Sequence, residues 1–258
     1  MGYSHNNFFV ISDPHGAEAE FRQILKHFDA TKEQLLLLGD YIDRGNSSLN
    51  MVKLVKQLHE EQGAIVLKGN HEDMFLQFLK NPEQSAYWYY KYGGWSTVNS
   101  FMGEEVAHLR YPPRVIANKI QEQHAELIAF IAALPLYHEA EEWIFVHAGF
   151  NPFRTDWRSS KDEFLVIRDQ FYCFRNESNR NVMFGHTPVV HLPKHDGFPI
   201  WIDLDKRLYG IDGGQEKYGH LNGVRIAQGE VVTVYCSSFG KEATTHDVAA
   251  YLSTKNEA

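Results

Sequence analysis

Short apolar runs and helical apolar stripes alternate along the first third of the chain. The runs predict buried strands over residues 7–12, 34–39 and 64–68, since continuous apolar runs are typical of strands covered on both faces. Between them, residues 16–28 and 46–62 place apolar side chains at helical spacing, which predicts two amphipathic helices. The order β-α-β-α-β predicts right-handed crossovers and a largely parallel first sheet.

The rest of the chain shows other patterns. A helix is predicted over about residues 72–79, Pro82 then interrupts the pattern, and residues 83–134 are mostly helices and loops. From residue 136 onward, apolar runs predict strands at residues 144–147, 182–184, 200–203, 207–211, 221–227 and 231–236. Their close spacing predicts an antiparallel or mixed second sheet.

These patterns predict a single domain over residues 1–258. Its core covers about residues 7–236, and residues 83–134 form a helical elaboration on that core, because no flexible linker flanks them. Residues 237–258 are expected to be a peripheral tail, since the periodicity fades there. A chain of 258 residues with 43% hydrophobic content has enough apolar surface for one large core.

Five short polar blocks carry the candidate chemistry, and most of them directly follow an apolar run. They are Asp13-Pro14-His15, the segment from Gly39 to Gly45, Gly69-Asn70-His71-Glu72, His147-Ala148-Gly149 and Gly185-His186-Thr187. Loops that leave the ends of neighbouring strands bring several side chains close to one point. The blocks therefore predict one site built at the ends of the strands.

The residue types in these blocks suit a pair of divalent metal ions. Asp13 and His15 lie two residues apart and form a mixed oxygen and nitrogen half-site, and the carboxylate of Asp40 is able to bridge two cations. The second position would be completed by Asn70, His147 and His186. Mixed ligation of this kind favours Mn, Fe, Co, Ni or Zn over Ca, and manganese is the first expectation for both ions.

Two cations about 3.5–4 Å apart would promote hydrolysis of a phosphomonoester. They lower the pKa of a shared water, so that hydroxide exists at neutral pH, and they polarise the phosphoryl oxygens. Arg44 and Arg168 are candidates to bind those oxygens. For Arg168 the alternative is a surface or core-edge ion pair. His71 is the candidate to protonate the leaving group, with Asp43 favouring its charged form.

Two further segments allow two interpretations each. Asp212-Gly213-Gly214 is either a turn between strands or a wall of the site, with Tyr218 or His220 near the substrate. The aromatic segment over residues 87–95 either packs the helical elaboration onto the core or offers a stacking surface to a base or an aryl phosphate.

Composition narrows the class of protein. There are 25 lysines and arginines against 33 acidic residues, giving a formal net charge of −8, and a surface of that sign does not attract a nucleic-acid backbone. Two cysteines show no C-x-x-C pattern and no disulfide framework, so we expect a cytoplasmic protein. The start of the chain has no basic segment, and no apolar run approaches the roughly 20 residues of a membrane helix, so no membrane partner is expected.

The five blocks resemble those of the calcineurin-like metallophosphoesterases. More narrowly, the segment from Gly39 to Gly45, together with Gly69-Asn70-His71-Glu72, is similar to the phosphoprotein phosphatase family of Ser/Thr phosphatases. The nearest resemblance is to its bacterial and phage branch, which is lambda phosphatase-like. With further similar segments, the resemblance covers roughly residues 8–236.

The resemblance implies an α/β fold, a four-layer α-β-β-α sandwich of two mixed sheets with the site along one edge. It implies a first metal site at Asp13, His15 and Asp40, and a second at Asp40, Asn70, His147 and His186. It also implies an acid pair, His71 and Asp43, and a phosphate clamp, Arg44 and Arg168. The first block departs from the usual pattern, because Ser12 and Pro14 stand where the family commonly has Gly and Ile or Val.

The expected function is two-metal-dependent hydrolysis of phosphomonoesters on a phosphorylated protein or a small phosphoester, in the manner of a Ser/Thr protein phosphatase. A dinucleoside tetraphosphate hydrolase is the alternative, although such bacterial symmetrical enzymes commonly depart from the Asp43-Arg44 and Glu72 pattern. A nuclease-like phosphodiesterase fits the acidic charge less well. An inactive phosphate-binding scaffold would lack a ligand or His71, and all of these residues are present.

Overall fold

The computed structural model describes residues 6–238 and 241–256, which contain eleven strands and twelve α-helices. The strands are β1 (Phe8–Ile11), β2 (Gln34–Leu37), β3 (Ile65–Val66), β4 (Tyr137–Glu139), β5 (Trp143–Val146), β6 (Asn181–Phe184), β7 (Trp201–Asp203), β8 (Leu208–Gly210), β9 (His220–Ala227), β10 (Glu230–Ser238) and β11 (Thr244–Asp247). The helices are α1 (Glu18–Leu25), α2 (Ser48–Gln62), α3 (Asn70–Lys80), α4 (Pro82–Lys91), α5 (Gly94–Met102), α6 (Ala107–Arg110), α7 (Pro113–Gln123), α8 (Ala125–Ala133), α9 (Glu163–Val166), α10 (Asp169–Tyr172), α11 (Gln215–Tyr218) and α12 (Val248–Asn256).

Two mixed sheets form the centre of the molecule. The first has the strand order β11-β10-β9-β1-β2-β3, and the second has the order β4-β5-β6-β8-β7. In the first sheet β1, β2 and β3 are parallel, whereas β9 runs antiparallel to β1. In the second sheet β5, β6 and β8 are parallel, and the edge strands β4 and β7 are antiparallel to their neighbours. The predicted α/β fold with two mixed sheets is confirmed.

Alternate side chains of each strand face opposite layers, and this produces the layered core. Phe9 of β1 packs toward the helices, in a cluster that includes Phe21 of α1. Its neighbour Phe8 faces the second sheet, where its ring centroid lies 4.9 Å from that of Phe145. Ile144, adjacent to Phe145 on β5, faces the outer layer that contains α9 and α10.

The segment between the two groups of strands is helical, as predicted. Helices α4, α5 and α7 pack against one another, and α3 contacts α4, α7 and α8. Pro82 does not separate two structural units but begins α4, because the first helical position needs no backbone N–H and suits the fixed φ of proline.

β9 and β10, which we expected in the second sheet, belong to the first. β9 pairs with β1 from Phe8↔Ile226 to Ile11↔Gly223. An apolar pattern identifies a strand and its buried face, but it does not identify the strand that pairs with it, because that partner lies more than 200 residues away along the chain. The strand β4 was not predicted.

The segment expected to be a peripheral tail contributes an edge strand and a helix. β11 pairs antiparallel with β10 from Thr233↔Asp247 to Cys236↔Thr244. The sequence of β11 is polar throughout, so it carries no hydrophobic signal for a strand. Tyr251 of α12 stacks on Phe198 with ring centroids 3.8 Å apart. Across the described ranges, no helix has the length and apolar character to cross a membrane.

Candidate active site

The polar blocks lie where the parallel strands of both sheets end. Asp13 follows β1, Asp40 follows β2, and Asn70 follows β3 as the first residue of α3. His147 directly follows β5, and His186 follows β6. The two sheet edges meet here, because the backbone N–H of His186 donates to both carboxylate oxygens of Asp13 at 3.1 Å.

Two groups of side chains in this region have metal-binding geometry. One contains His15, Asp40 and His71, and the other contains Asp40, His147 and His186; in each, the potential ligand atoms lie within 4.8 Å of one another. Asp40 Oδ2 is 3.6 Å from His15 Nε2, and Asp40 Oδ1 is 3.4 Å from His147 Nε2. Asp40 is thus shared, with one oxygen directed to each group, as a bridging carboxylate requires.

Asn70 and Asp13 adjoin these groups. Asn70 Oδ1 lies 3.0 Å from His147 Nε2 and 2.8 Å from His186 Nδ1, so it is directed into the second group. Asp13 is buried beside them, and its carboxylate accepts the hydroxyl of Ser12 as well as the His186 N–H. In this structure Asp13 lies outside both groups, although the sequence placed it with His15.

Backbone carbonyls fix the orientation of two of the imidazoles. His15 Nδ1 lies 3.0 Å from the carbonyl of Ile42, and His147 Nδ1 lies 3.0 Å from the carbonyl of Leu38. A carbonyl only accepts, so each Nδ1 carries the proton and each Nε2 keeps a lone pair for a metal. His186 Nε2 is buried and has no hydrogen-bond partner among the described residues.

The buried carboxylates of the site would be stabilised in their charged form by nearby positive charge. Burial raises the pKa of Asp40 well above its usual value, and the nearby carboxylates of Asp13 and Glu72 raise it further. Burial likewise raises the pKa of Asp13, helped by Asp212. Burial lowers the pKa of His147 to about 3, which keeps it in the neutral form that binds metals. Divalent cations would compensate the buried carboxylates, so the donor set fits them.

The backbone at this edge adopts a conformation that is unusual for residues with side chains. Positive φ angles occur at six candidate site residues: Asp13 (56°), His15 (43°), Asp40 (56°), Asp43 (69°), Arg44 (68°) and His186 (62°). Such angles are costly for residues other than glycine and persist only where the surrounding structure fixes them. Here they turn several polar side chains into one cleft.

Asp43 and His71 form a buried pair. His71 Nδ1 lies 2.7 Å from Asp43 Oδ2, while the hydroxyls of Tyr89 and Thr97 donate to Asp43 Oδ1 at 2.8 and 2.6 Å. Burial raises the pKa of Asp43 to about 7. Burial lowers the pKa of His71, and the guanidinium of Arg44 lowers it further. Both effects oppose the charged form that we expect Asp43 to favour.

Both candidate arginines line the cleft. Arg44 Nη1 lies 3.2 Å from His15 Nε2, and Arg44 Nη2 lies 3.2 Å from His71 Nε2. The exposed Arg168 donates to the hydroxyl of Thr187 at 3.1 Å. Glu216 also lines the cleft, and its Oε2 lies 3.4 Å from Arg44 Nη1. A carboxylate therefore occupies space beside the guanidinium that a phosphoryl group would use.

Sequence reasoning missed several supporting residues. The buried carboxylate of Glu72 accepts the backbone N–H groups of Asp40, Tyr41 and Gly69 at 2.8–2.9 Å, and so it holds the loop that carries Asp40. Glu72 was visible within its block, but we gave it no role. Nothing in the sequence linked Thr97 to a site 54 residues earlier.

The structure decides between the open interpretations of residues 212–220. Asp212 is buried and lines the cleft, as do Gly214 and Glu216, and the carboxylate of Asp212 accepts the Gly214 N–H at 2.7 Å. Burial raises the pKa of Asp212 to about 6. This segment is therefore a wall of the site, whereas His220 is exposed.

Two relatives are similar over much of the chain. A symmetrical bis(5'-nucleosyl)-tetraphosphatase from Glaesserella parasuis serovar 5 (strain SH0165) is 27% identical over 201 residues, covering 75% of this chain and 62% of that protein. The asymmetrical bis(5'-nucleosyl)-tetraphosphatase PrpE from Bacillus cereus (strain Q1) is 26% identical, covering 87% of this chain and 92% of that protein. The chain thus spans less than two thirds of the first relative's length.

A solved structure described as a candidate diadenosine tetraphosphatase has a TM-score of 0.62 at 18% identity, covering 93% of this chain and 97% of that chain. This likeness shows the fold. Both relatives are named as bis(5'-nucleosyl)-tetraphosphatases. They do not support our narrower expectation of a lambda phosphatase-like Ser/Thr phosphatase. The sequence profile of the calcineurin-like phosphoesterases matches residues 7–214. The chain therefore belongs to the calcineurin-like phosphoesterase family.

Proposed function

We propose that this protein is a metal-dependent phosphoric ester hydrolase whose substrate is a dinucleoside tetraphosphate. The observation that carries the proposal is the pair of metal-binding groups that share Asp40, in the same cleft as Arg44 and Arg168. Two of the most similar relatives are named as tetraphosphatases of bis(5'-nucleosyl) substrates, and this supports the choice of substrate. The cleft has a volume of about 660 Å³, within the usual range for sites that enclose a whole small molecule.

The metal ligands of the proposal follow the two groups, with Asp13 and Asn70 added and His71 left out because it is the proposed proton donor. We assign His15, Asp40 and the adjoining Asp13 to one ion, and Asp40, Asn70, His147 and His186 to the other. Two bound divalent ions would supply a water of lowered pKa and polarise the phosphoryl oxygens. Manganese is the first metal to test, with iron, zinc, cobalt and nickel compatible with the same donors.

The remaining polar groups act on the substrate. Arg44 and Arg168 bind the oxygens of the reacting phosphoryl group, since a guanidinium offers two parallel N–H donors. Glu216 must release Arg44 for this to occur, because the phosphoryl group competes for the same guanidinium. His71, oriented through Nδ1 by Asp43, presents Nε2 toward the cleft, where it can deliver a proton to the leaving group.

A phosphoprotein substrate is the second candidate function. The observation in its favour is the motif itself, because the chain has Asp43, Arg44 and Glu72. Asp43 and Arg44 lie within hydrogen-bonding distance of His71, and Glu72 accepts the backbone N–H of Tyr41. These are the positions at which we expect bacterial symmetrical dinucleoside tetraphosphate hydrolases to depart from the phosphatase pattern.

The test is a comparison of substrates with protein that has been stripped by EDTA and refilled with Mn²⁺. We expect a dinucleoside tetraphosphate to be hydrolysed with a kcat/KM at least ten times that for a phosphoseryl peptide. Chromatography of the products distinguishes two nucleoside diphosphates from a monophosphate with a triphosphate. Faster hydrolysis of the phosphopeptide would favour the second candidate. Full activity in the metal-free protein would contradict both.

Asp40→Asn gives the matched variant. The amide keeps the shape of the carboxylate and tolerates a positive φ, but it removes the charge that both ions share. We expect this variant to lose both metals, measured by elemental analysis, and with them the activity. His15→Ala should lose mainly one. Equal metal content in wild type and Asp40→Asn would show that Asp40 is not the bridge.

A further inference from the structure

The aromatic side chains of α4 and its C-terminal end point in different directions, because successive residues of a helix lie on different faces. Tyr89 points inward, is buried, and donates its hydroxyl to Asp43 at 2.8 Å. Trp88 remains 54% exposed and Tyr92, which caps the helix, remains 49% exposed. Packing of the helix onto the core therefore accounts for Tyr89 but not for Trp88 and Tyr92. Large exposed aromatic side chains that lie together commonly mark a binding surface.

Of the two exposed rings, that of Tyr92 lines the active-site cleft and that of Trp88 lies next to it, outside the cleft. Tyr92 lines the cleft together with His71 and Met74. The backbone carbonyl of Gly93, the next residue, accepts the backbone N–H of Arg44 at 3.1 Å. Tyr92 is therefore adjacent in sequence to a residue that contacts the proposed phosphate clamp. Trp88 continues this surface away from the cleft, with its ring centroid 6.3 Å from that of Tyr92 and an angle of 23° between the ring planes.

Tyr92 lines the same cleft as the proposed proton donor. His71 has that role in the proposal, and Met74, one helical turn further along α3, also lines the cleft. The group that His71 protonates therefore leaves from a cleft that has an aromatic ring in its wall. The Lys91 ammonium, 4.7 Å from the centre of the Trp88 ring, adds a cation that favours a phosphorylated ligand at this rim.

We propose that Trp88 and Tyr92 form a subsite that stacks the nucleobase of the nucleotide substrate. This inference rests on the proposed function and extends it, because it assigns one end of the substrate to a named surface. Every nucleobase has a flat π face, and nearly parallel aromatic rings stack on such a face with little preference among bases. The subsite therefore selects for a nucleoside rather than for a particular base.

Binding measurements on the Mn²⁺-loaded full chain test the subsite without relying on turnover. The ligands are ADP and inorganic pyrophosphate, which share the diphosphate and differ in the nucleoside. We expect wild type to bind ADP more tightly than pyrophosphate. In Tyr92→Ala and Trp88→Ala, the preference for ADP, expressed as the ratio of the two Kd values, should fall about tenfold, which is within the usual effect of removing one stacked aromatic.

Two further variants keep the test specific. Tyr92→Phe retains the ring and should keep the preference for ADP. Tyr87→Ala removes another exposed aromatic of α4, one that does not line the cleft, and should also keep it. Thermal melts of all four variants check that the fold is intact. An ADP preference that is absent in wild type, or that survives both Trp88→Ala and Tyr92→Ala, would overturn the proposal.

The outcome is separable from that of the proposed function. If the rings determine the ADP preference but no dinucleoside tetraphosphate is hydrolysed, the nucleobase subsite stands and the proposed substrate is wrong. If a dinucleoside tetraphosphate is hydrolysed and Tyr92→Ala has the same kcat/KM as wild type, the proposed function stands and the subsite is wrong.

Discussion

His71 is the side chain that we propose as the proton donor to the leaving group. Its Nδ1 is held by Asp43 at 2.7 Å, and its Nε2 faces Arg44 and, at 3.9 Å, Asp40. A proton donor matters most when the leaving group is strongly basic. The side chain is also close enough to Asp40 to belong to a metal-binding group, so two roles have to be separated by experiment.

We predict that His71→Asn slows hydrolysis of an alkyl phosphate by about 10²–10⁴-fold, the usual contribution of general acid catalysis. The loss on p-nitrophenyl phosphate should be much smaller, because nitrophenolate leaves without a proton. The measurement is rate against leaving-group pKa for both proteins, with metal content determined in parallel. A uniform loss for every leaving group, or a loss of metal, would assign His71 to the metal centre instead.

At the residue scale, the sequence predicts those site residues that directly follow a recognisable strand. Asp40 and His147 each follow an apolar strand closely, so their position at strand ends can be inferred from the sequence, although the two strands belong to different sheets. Thr97 and Tyr89 could not be found this way, because they reach Asp43 from helices 46 to 54 residues further along the chain. Only the packing of the helical elaboration brings them there.

At the scale of elements, α11 shows how a single helical turn forms part of the cleft. It lies between Gly214 and Gly219, both of which have positive φ angles, as the sharp entry and exit of so short a helix require. The turn presents Glu216 to Arg44 at 3.4 Å. The side chain of Glu216 is 51% exposed and that of Arg44 is 30% exposed, so the pair contributes no more than about 1 kcal/mol.

We predict that Glu216→Gln strengthens the binding of inorganic phosphate. Removing the carboxylate frees Arg44 and removes a repulsive charge from the path of an anion, and the inhibition constant of phosphate should fall about threefold, in keeping with a weak exposed ion pair. The matched control is Glu20→Gln on α1, which removes a carboxylate away from the cleft. An unchanged inhibition constant in Glu216→Gln would mean that the ion pair does not compete with phosphate.

Elements with strong periodicity were predictable from sequence, and their partners were not. The parallel order of β1, β2 and β3 follows from the helices between them, since a parallel connection needs a crossover. The addition of β9 to the free side of β1 has no comparable local cause. β11 was missed because its side chains are polar, and its evidence lies in backbone pairing with β10.

At the scale of the whole molecule, the candidate metal centre joins the two sheets. Asp13, Asp40 and Asn70 follow strands of the first sheet, whereas His147 and His186 follow strands of the second. The layers are otherwise held together by an apolar cluster that includes Phe8, Leu36, Trp143 and Met183. Ions bound between the sheets would therefore resist their separation on unfolding.

We predict that Mn²⁺ raises the melting temperature of the protein. A ligand at about 100 times its Kd stabilises the folded state by about 2.7 kcal/mol, which for a chain of this size corresponds to about 5–10 °C. Calorimetry with Mn²⁺ and with EDTA measures the shift, and Asp40→Asn should abolish most of it. Equal melting temperatures of wild type under the two conditions would show that the centre does not bind the metal in the folded protein.

The six residues with positive φ angles along this edge serve the proposed chemistry, but their backbone conformation lowers the thermal stability of the fold. A left-handed backbone costs a residue with a side chain roughly 1–2 kcal/mol relative to glycine, and Asp13, His15, Asp40, Asp43, Arg44 and His186 all adopt it. Glycine at any of these positions would relax the backbone and remove a group that the chemistry needs. A library of variants selected only for thermal survival in EDTA, where no bound ion adds stability, should therefore accumulate glycine here and lose catalysis. Selection for turnover should restore the strained residues.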